Sequence, residues 1–263
     1  MTDAKITAYD RARAARGSQR PSAGGYMNMI VEDFVELHGD RRFGDDPAIV
    51  AGIGFLGGEP VTVIAMERGD TIEDRMRRKF GCPTPEGYRK ALRLMKEAEK
   101  FKRPIVCFIG SSGAYPGIEA EERGQGEAIA ENLYEMMTLK TPIISVVVGE
   151  GGSGGALALG VANKVVMLEN AIYSVISPEA CATILWKDAA KAPEAAEALK
   201  FTAQNLFELG ITEKIIEESG GSAPEIASEL KSYVSEQIKR MKKMSVDELL
   251  DERYNKFRKI GAR

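Results

Sequence analysis

PIVCFIGSSGAYPG at residues 104–117 and PIISVVVGEGGSGG at residues 142–155 share one grammar. Each opens on a proline, runs through a mostly apolar stretch and ends in a loop rich in glycine and serine. Short apolar runs bounded by turn residues read as strands buried on both faces. Behind each loop the pattern turns helical, over 119–139 after the first and from about Ala156 after the second. Strand, glycine loop and helix thus occur twice, about forty residues apart. The repeat predicts similar units stacked side by side, with both loops at one edge.

Working outward, two β-rich runs at 48–55 and 60–66 flank Leu56-Gly57-Gly58-Glu59, a hairpin signal. Thr84-Pro85-Glu86 reads as a helix start, with a threonine cap and a proline whose missing N–H costs nothing there. Tyr88, Ala91, Leu92, Met95 and Ala98 then recur at helical spacing, while Arg89, Lys90, Arg93, Lys96 and Lys100 fall elsewhere. Such a basic side is expected to be a solvated face. Residues 164–168 and 171–176 read as a further strand pair, and Ser177-Pro178-Glu179 starts another helix. Beyond residue 189 the pattern is helical apart from a strand at 211–216. The first 25 residues, with four arginines, Pro21, Gly24 and Gly25, have the composition of an arm or loop. The expected division is an arm at 1–25, a main domain at 26–240 and a C-terminal helical extension at 241–263, packing on the domain or on a partner.

The 263 residues are 44% hydrophobic and carry 36 lysine and arginine against 39 aspartate and glutamate, a net charge of −3. That balance gives no bulk attraction to nucleic acid or to an anionic membrane. Three scattered cysteines, Cys82, Cys107 and Cys181, fit neither a disulfide framework nor a CxxC metal site, and a reducing cytoplasm is the expected setting. No targeting segment is evident at the N-terminus. The apolar stretch at 154–168 is broken by Asn163 and Lys164 and falls short of the roughly 20 residues that span a bilayer.

A glycine loop between a strand end and a helix start exposes N–H groups that have no intrahelical partner, so it suits negatively charged oxygen. Glycine lets the ligand approach the main chain and permits positive φ. Two such loops at one edge can form a two-donor oxyanion hole, with Gly113 or Ala114 supplying one donor and Gly154 or Gly155 the other. Three other patterns compete. Gly151-Gly152-Ser153-Gly154-Gly155 fits the GxSxG nucleophile elbow, but a serine hydrolase needs a histidine base, and the only histidine is His38, far upstream. Gly52-x-Gly54-x-x-Gly57 matches a dinucleotide fingerprint inside a hairpin, the wrong context. Glu119, Glu121 and Glu122 sit where a helix's first turn favours carboxylates anyway. With no histidine, metal cluster or carboxylate pair in place, the expected chemistry needs charge stabilisation more than proton transfer by side chains.

Gly113-Ala114-Tyr115-Pro116-Gly117, then 120–130 and 149–158, closely resemble the α-subunit family of bacterial acetyl-CoA carboxylase carboxyltransferases. The match extends through Pro85-Glu86-Gly87-Tyr88-Arg89, His38-Gly39-Asp40-Arg41 and Tyr173-Ser174-Val175-Ile176-Ser177-Pro178-Glu179, covering nearly the whole chain. It departs at Gly110-Ser111-Ser112, where many members carry Asp-Thr-Pro or Asn-Thr-Pro, and it lacks the longer helical N-terminus of some members. The resemblance implies an α/β chain with a crotonase-like ββα superhelix and added C-terminal helices. It implies transfer of a carboxyl group from carboxybiotin to acetyl-CoA, giving malonyl-CoA for fatty acid biosynthesis. The resemblance also implies that the biotin is carried covalently by a biotin carboxyl carrier protein loaded by biotin carboxylase. This chain would cradle biotin through Tyr115, Pro116, Gly117, Gly151, Gly152 and Ser153. A homologous carboxyltransferase β subunit would bring most of the CoA site and a zinc ribbon, in an α2β2 heterotetramer, with no metal on this chain. The implied mechanism has carboxybiotin release carbon dioxide and the biotin anion take a proton from the acetyl methyl, after which the enolate attacks carbon dioxide. The nearest rival is a stand-alone crotonase-type acyl-CoA hydratase or isomerase, for which Glu150 and Glu119 are the available acids.

Overall fold

The computed structural model describes residues 6–262. Its strands are β1 (Glu32–Glu36), β2 (Ile49–Leu56), β3 (Glu59–Met66), β4 (Ile105–Ser111), β5 (Ile143–Gly152), β6 (Lys164–Leu168), β7 (Ile172–Ser174) and β8 (Lys214–Ile216). Its helices are α1 (Ala8–Ala15), α2 (Ala23–Ile30), α3 (Ile72–Arg77), α4 (Pro85–Lys100), α5 (Ile118–Glu122), α6 (Gln125–Thr138), α7 (Ser153–Leu157), α8 (Pro178–Trp186), α9 (Ala192–Leu199), α10 (Ala203–Glu208), α11 (Ala223–Met241) and α12 (Val246–Lys259). All strands share one sheet in the order β1-β2-β3-β4-β5-β6-β8, with β7 paired to β5 off this path. The β2–β3 hairpin turns through Gly57 and Gly58, both at positive φ, the geometry that matches the twist of two antiparallel strands.

From β3 onward the pairing is parallel. The two quoted stretches supply β4 and β5 as neighbours, in register from Ile105↔Ile143 to Ile109↔Val147. Their apolar runs are buried because helices cover the sheet: α4 packs on β2, β3 and α6, while α2 lies along β3, β4 and β5 and contacts α11. The second strand extends further than its sequence suggests. β5 continues through Gly152, and α7 begins at Ser153 and lasts five residues. Ten residues of β5 serve two neighbours in series: Ile144–Val147 pairs β6 and Glu150–Gly152 pairs β7. The expected mutual pair at 164–168 and 171–176 is therefore two strands sharing β5. The single helix expected over 119–139 is two, α5 and α6, divided at Gly124, whose φ of +83° caps α6.

The N-terminal segment, expected as a loop-like arm, contains α1, fixed by a Thr7–Asp10 capping box. Ala8, Ala12 and Ala15 press against Ile172, Ala196 and Phe201; residues 1–5 of the expected arm lie outside the described residues. Three arginines strap the segment down: Arg11 to Glu169, Arg16 to Glu150 and Glu179, and Arg20 to Glu218. At the other end α12 packs on α6, and Arg253 is fully buried.

The basic side of α4 is a correction to the solvated face expected. Lys90 is wholly buried, with Nζ donating to Asp45 Oδ1 at 2.6 Å and to the Asp46 carbonyl at 2.8 Å. Arg89 donates to Asp40 and Glu86, and Arg93 to the carbonyls of Gly39 and His38. These cations pin the 38–46 loop to the helix. Nor does Thr84 cap α4 with its side chain, because Oγ1 and its own N–H both go to Asp46 Oδ2.

Candidate active site

Neighbouring strands carry their C-terminal loops to one edge, and the register Ser111↔Gly151 sets those loops against each other. Contact is backbone on backbone. A Cβ built on Gly152 would stand 2.0 Å from the Ser112 carbonyl oxygen. One built on Gly155 would stand 2.4 Å from the Ala114 nitrogen and 2.7 Å from the Gly113 carbonyl carbon. Only glycine fits at either position.

The first loop is braced by Ser111, almost fully buried at the end of β4. Its hydroxyl donates to the Gly113 carbonyl at 2.9 Å and accepts the Gly113 N–H at 3.1 Å. Its bridge across Gly113 stiffens the loop locally. The brace also separates the two expected donors. The Gly113 N–H is spent, while the Ala114 N–H donates to no acceptor among the described residues. Tyr115 N–H, next in line, is taken by the Pro83 carbonyl at 3.0 Å. In the second loop, Gly154 and Gly155 fall in the first turn of α7, where N–H groups have no acceptor within the helix. Because α7 is so short, its dipole adds little; the free N–H groups themselves are the attraction.

Behind this junction lies a cleft of about 180 Å³, lined by Arg16, Arg20, Arg68, Gly110, Ser112 and Glu150 among others. Arg68 stands out electrostatically. Burial, with the neighbouring positive charge of Arg75, lowers its pKa, and its guanidinium donates to the Gly17 and Arg20 carbonyls. Cys82 Sγ lies 3.4 Å from Ser112 Oγ, and burial pushes the thiol's pKa up. A smaller cavity of about 30 Å³ adjoins Ser112, Gly151, Gly152 and Ser153 on the side of Val175 and Ile176. The structure thus gathers Gly113, Ala114, Tyr115, Gly151, Gly152, Ser153, Gly154 and Gly155 around two touching loops. Pro116 and Gly117 lead from the first loop into α5, where Gly117 is the residue preceding the helix.

Ser153 has a φ of +53°, as a nucleophile elbow does, yet nothing activates it. His38 is exposed on the 38–46 loop, its Nδ1 at 2.9 Å from Asp45. The two acids open to a hydratase are also committed. Glu150 accepts two bonds from Arg16, at 2.8 and 3.1 Å, and Glu119 is held low by its own backbone N–H and by the Tyr115 hydroxyl. Among the described residues no group of histidine, cysteine and carboxylate side chains could hold a metal ion. Among the described residues no helix is long and apolar enough to cross a membrane.

Sequence reasoning missed Arg68, Cys82 and Tyr88 as members of this neighbourhood. The Tyr88 side chain, read as part of an apolar stripe, is fully buried with a hydroxyl that has no hydrogen-bond partner among the described residues. Its only sequence signal was a polar atom at a core position.

A family model described as acetyl co-enzyme A carboxylase carboxyltransferase-like matches residues 2–261. The acetyl-coenzyme A carboxylase carboxyl transferase subunit alpha of Ruminiclostridium cellulolyticum is 57% identical over 256 residues, 97% of this chain and 98% of that protein. The protein of the same name from Listeria welshimeri is 56% identical over 261 residues, 98% of this chain and 82% of its own. Among solved structures, a transcarboxylase 12S with methylmalonyl-coenzyme A bound has a TM-score of 0.65 at 21% identity, covering 84% of this chain and 43% of its own. At that identity the likeness is one of fold, the crotonase-like α/β class that the sequence resemblance implied.

Proposed function

The chain belongs to the α-subunit family of acetyl-CoA carboxylase carboxyltransferases, and we propose that it forms the donor side of that enzyme's active site. With a β subunit it transfers the carboxyl group from biotin to acetyl-CoA, giving malonyl-CoA for fatty acid biosynthesis. Biotin, carried covalently by a biotin carboxyl carrier protein and charged by biotin carboxylase, supplies the activated carboxyl group when bound. The zinc ribbon is assigned to the β subunit, the assembly is α2β2 and the setting is the cytoplasm.

One observation carries this reading: an unspent Ala114 N–H lies directly against Gly155, in the first turn of α7. Ala114 N–H and the N–H groups of Gly154 and Gly155 hold the negative oxygen of the biotin ureido group, so charge is stabilised without a protein base. Gly113 sets the turn that presents Ala114. Tyr115, Pro116 and Gly117 form one wall for the biotin ring, and Gly151, Gly152 and Ser153 the other. The main domain at 26–240 carries the site, while residues 1–25 and 241–263 support it. The hydratase reading loses its acids, since Glu150 is bound to Arg16 and Glu119 is exposed on α5.

The test is to co-purify the chain with its β subunit and assay biotin-dependent malonyl-CoA decarboxylation. Activity is expected from the pair and from neither subunit alone. A folded, associated pair without activity, or hydratase turnover by this chain alone, overturns the assignment.

A further inference from the structure

Tyr88 stands in the first turns of α4 with its whole side chain buried. Its hydroxyl is a buried side-chain oxygen without a hydrogen-bond partner among the described residues. The same hydroxyl lies 2.8 Å from the point that a Cβ on Gly155 would occupy, a point 2.4 Å from the Ala114 nitrogen. Tyrosine is therefore the wrong choice for packing alone, because phenylalanine would fill the space without burying an unpaired polar atom. The nearest unspent group on this side is the Ala114 N–H, beside the first turn of α7. Burial, reinforced by the neighbouring Cys82 and Asp46, raises the phenol's pKa, so the hydroxyl keeps its proton. An unpaired hydroxyl and an unspent N–H thus share one junction, and an anionic oxygen is a group that can accept from both.

We propose that the Tyr88 hydroxyl is a further hydrogen-bond donor of this site, given to the anionic oxygen once the two glycine loops admit it. The identity of that oxygen rests on the carboxyltransferase reading above; the presence of the donor does not. The hydroxyl is shut off from water and unpaired among the described residues, so its bond to the anionic oxygen replaces no existing one. Tyr88 then lowers the energy of the charged species without helping the free protein fold.

Tyr88→Phe in the complex with the β subunit separates the two effects. Per assembled complex, kcat for biotin-dependent malonyl-CoA decarboxylation is expected to fall by about tenfold or more, the size of one lost bond to a charged oxygen. KM for malonyl-CoA should stay within about twofold, since CoA binding lies elsewhere, and the unfolding midpoint should match or exceed that of the wild type. An unchanged kcat overturns the proposal. So does a lowered unfolding midpoint, which would mean that the hydroxyl already has a partner in the free protein. The midpoint measurement needs no turnover, so it still decides the matter if the wild-type complex proves inactive, an outcome that counts against the carboxyltransferase reading instead.

Discussion

A methyl group on Gly155 would meet two backbone atoms of the first loop at 2.4 and 2.7 Å, and displacing backbone costs more than turning a side chain. One position earlier the situation reverses: a Cβ on Gly154 would face Ile129 Cγ2 at 3.7 Å, ordinary contact. The pair makes a controlled comparison. Gly155→Ala should push the loops apart, cutting biotin-dependent decarboxylation by about 100-fold and lowering the urea midpoint. Gly154→Ala should keep wild-type stability to within about 1 kcal/mol, as alanine is the better helix former. Equal stability and equal activity in both variants would mean that the loops do not touch. The two glycine runs were legible as loops at one sheet edge, yet which glycine carries the constraint was not. It depends on the strand register Ser111↔Gly151, fixed across a separation of forty positions. Ser111 was likewise silent, because its bridge to both ends of Gly113 is a matter of rotamer and not of residue order.

Among elements, α4 and the 38–46 loop show how a correct helix carries a misread face. Periodicity placed the helix and its apolar stripe, but the partners of Arg89, Lys90 and Arg93 lie in a loop some forty-five residues upstream. Helical spacing has no means of showing them. The contact has a measurable acid dependence. Burial pushes the Asp40 carboxyl up, but the N–H groups of Arg42, Phe43 and Gly44 and the Arg89 guanidinium outweigh it and hold the pKa down to about 2. A folded pKa below the unfolded value, near 3.9, lends stability that is present above about pH 4 and lost as pH falls towards 2. Asp45 and Glu86 are lowered too and act in the same direction. The thermal midpoint of the wild type should therefore drop through that window. Asp40→Asn should start lower at pH 7 and fall less steeply below pH 4; parallel curves for the two proteins would remove Asp40 from the acid response.

At the scale of the whole molecule, the C-terminal helix closes the fold through one buried cation. Arg253 donates to the carbonyls of Met136 at 2.6 Å, Leu139 at 2.8 Å and Thr141 at 2.9 Å, and to Asn163 Oδ1 at 2.8 Å. It thereby ties α12 to the end of α6 and to the approach to β5, the strand that carries the second glycine loop. The sequence predicts a helical extension over 241–263 packing on the domain or on a partner, but an arginine among charged neighbours gives no sign of complete burial. Burial lowers its pKa to about 10, well above neutrality, so the guanidinium is charged under working conditions. Arg253→Met fills a similar volume and leaves three carbonyls without their Arg253 donors in a dry interior, while Asn163 Oδ1 keeps only the Ile143 N–H. The expected cost is about 3–5 kcal/mol, read as a shift of the urea midpoint at unchanged slope. Arg253→Lys should recover only part of it, because an ammonium offers fewer donors and no planar fork. Decarboxylase activity per folded complex should be preserved in both variants, as α12 packs on α6 and not on the loops. Loss of activity without loss of stability would mean that the helix acts on β5 and the site directly, a coupling that its packing does not otherwise suggest.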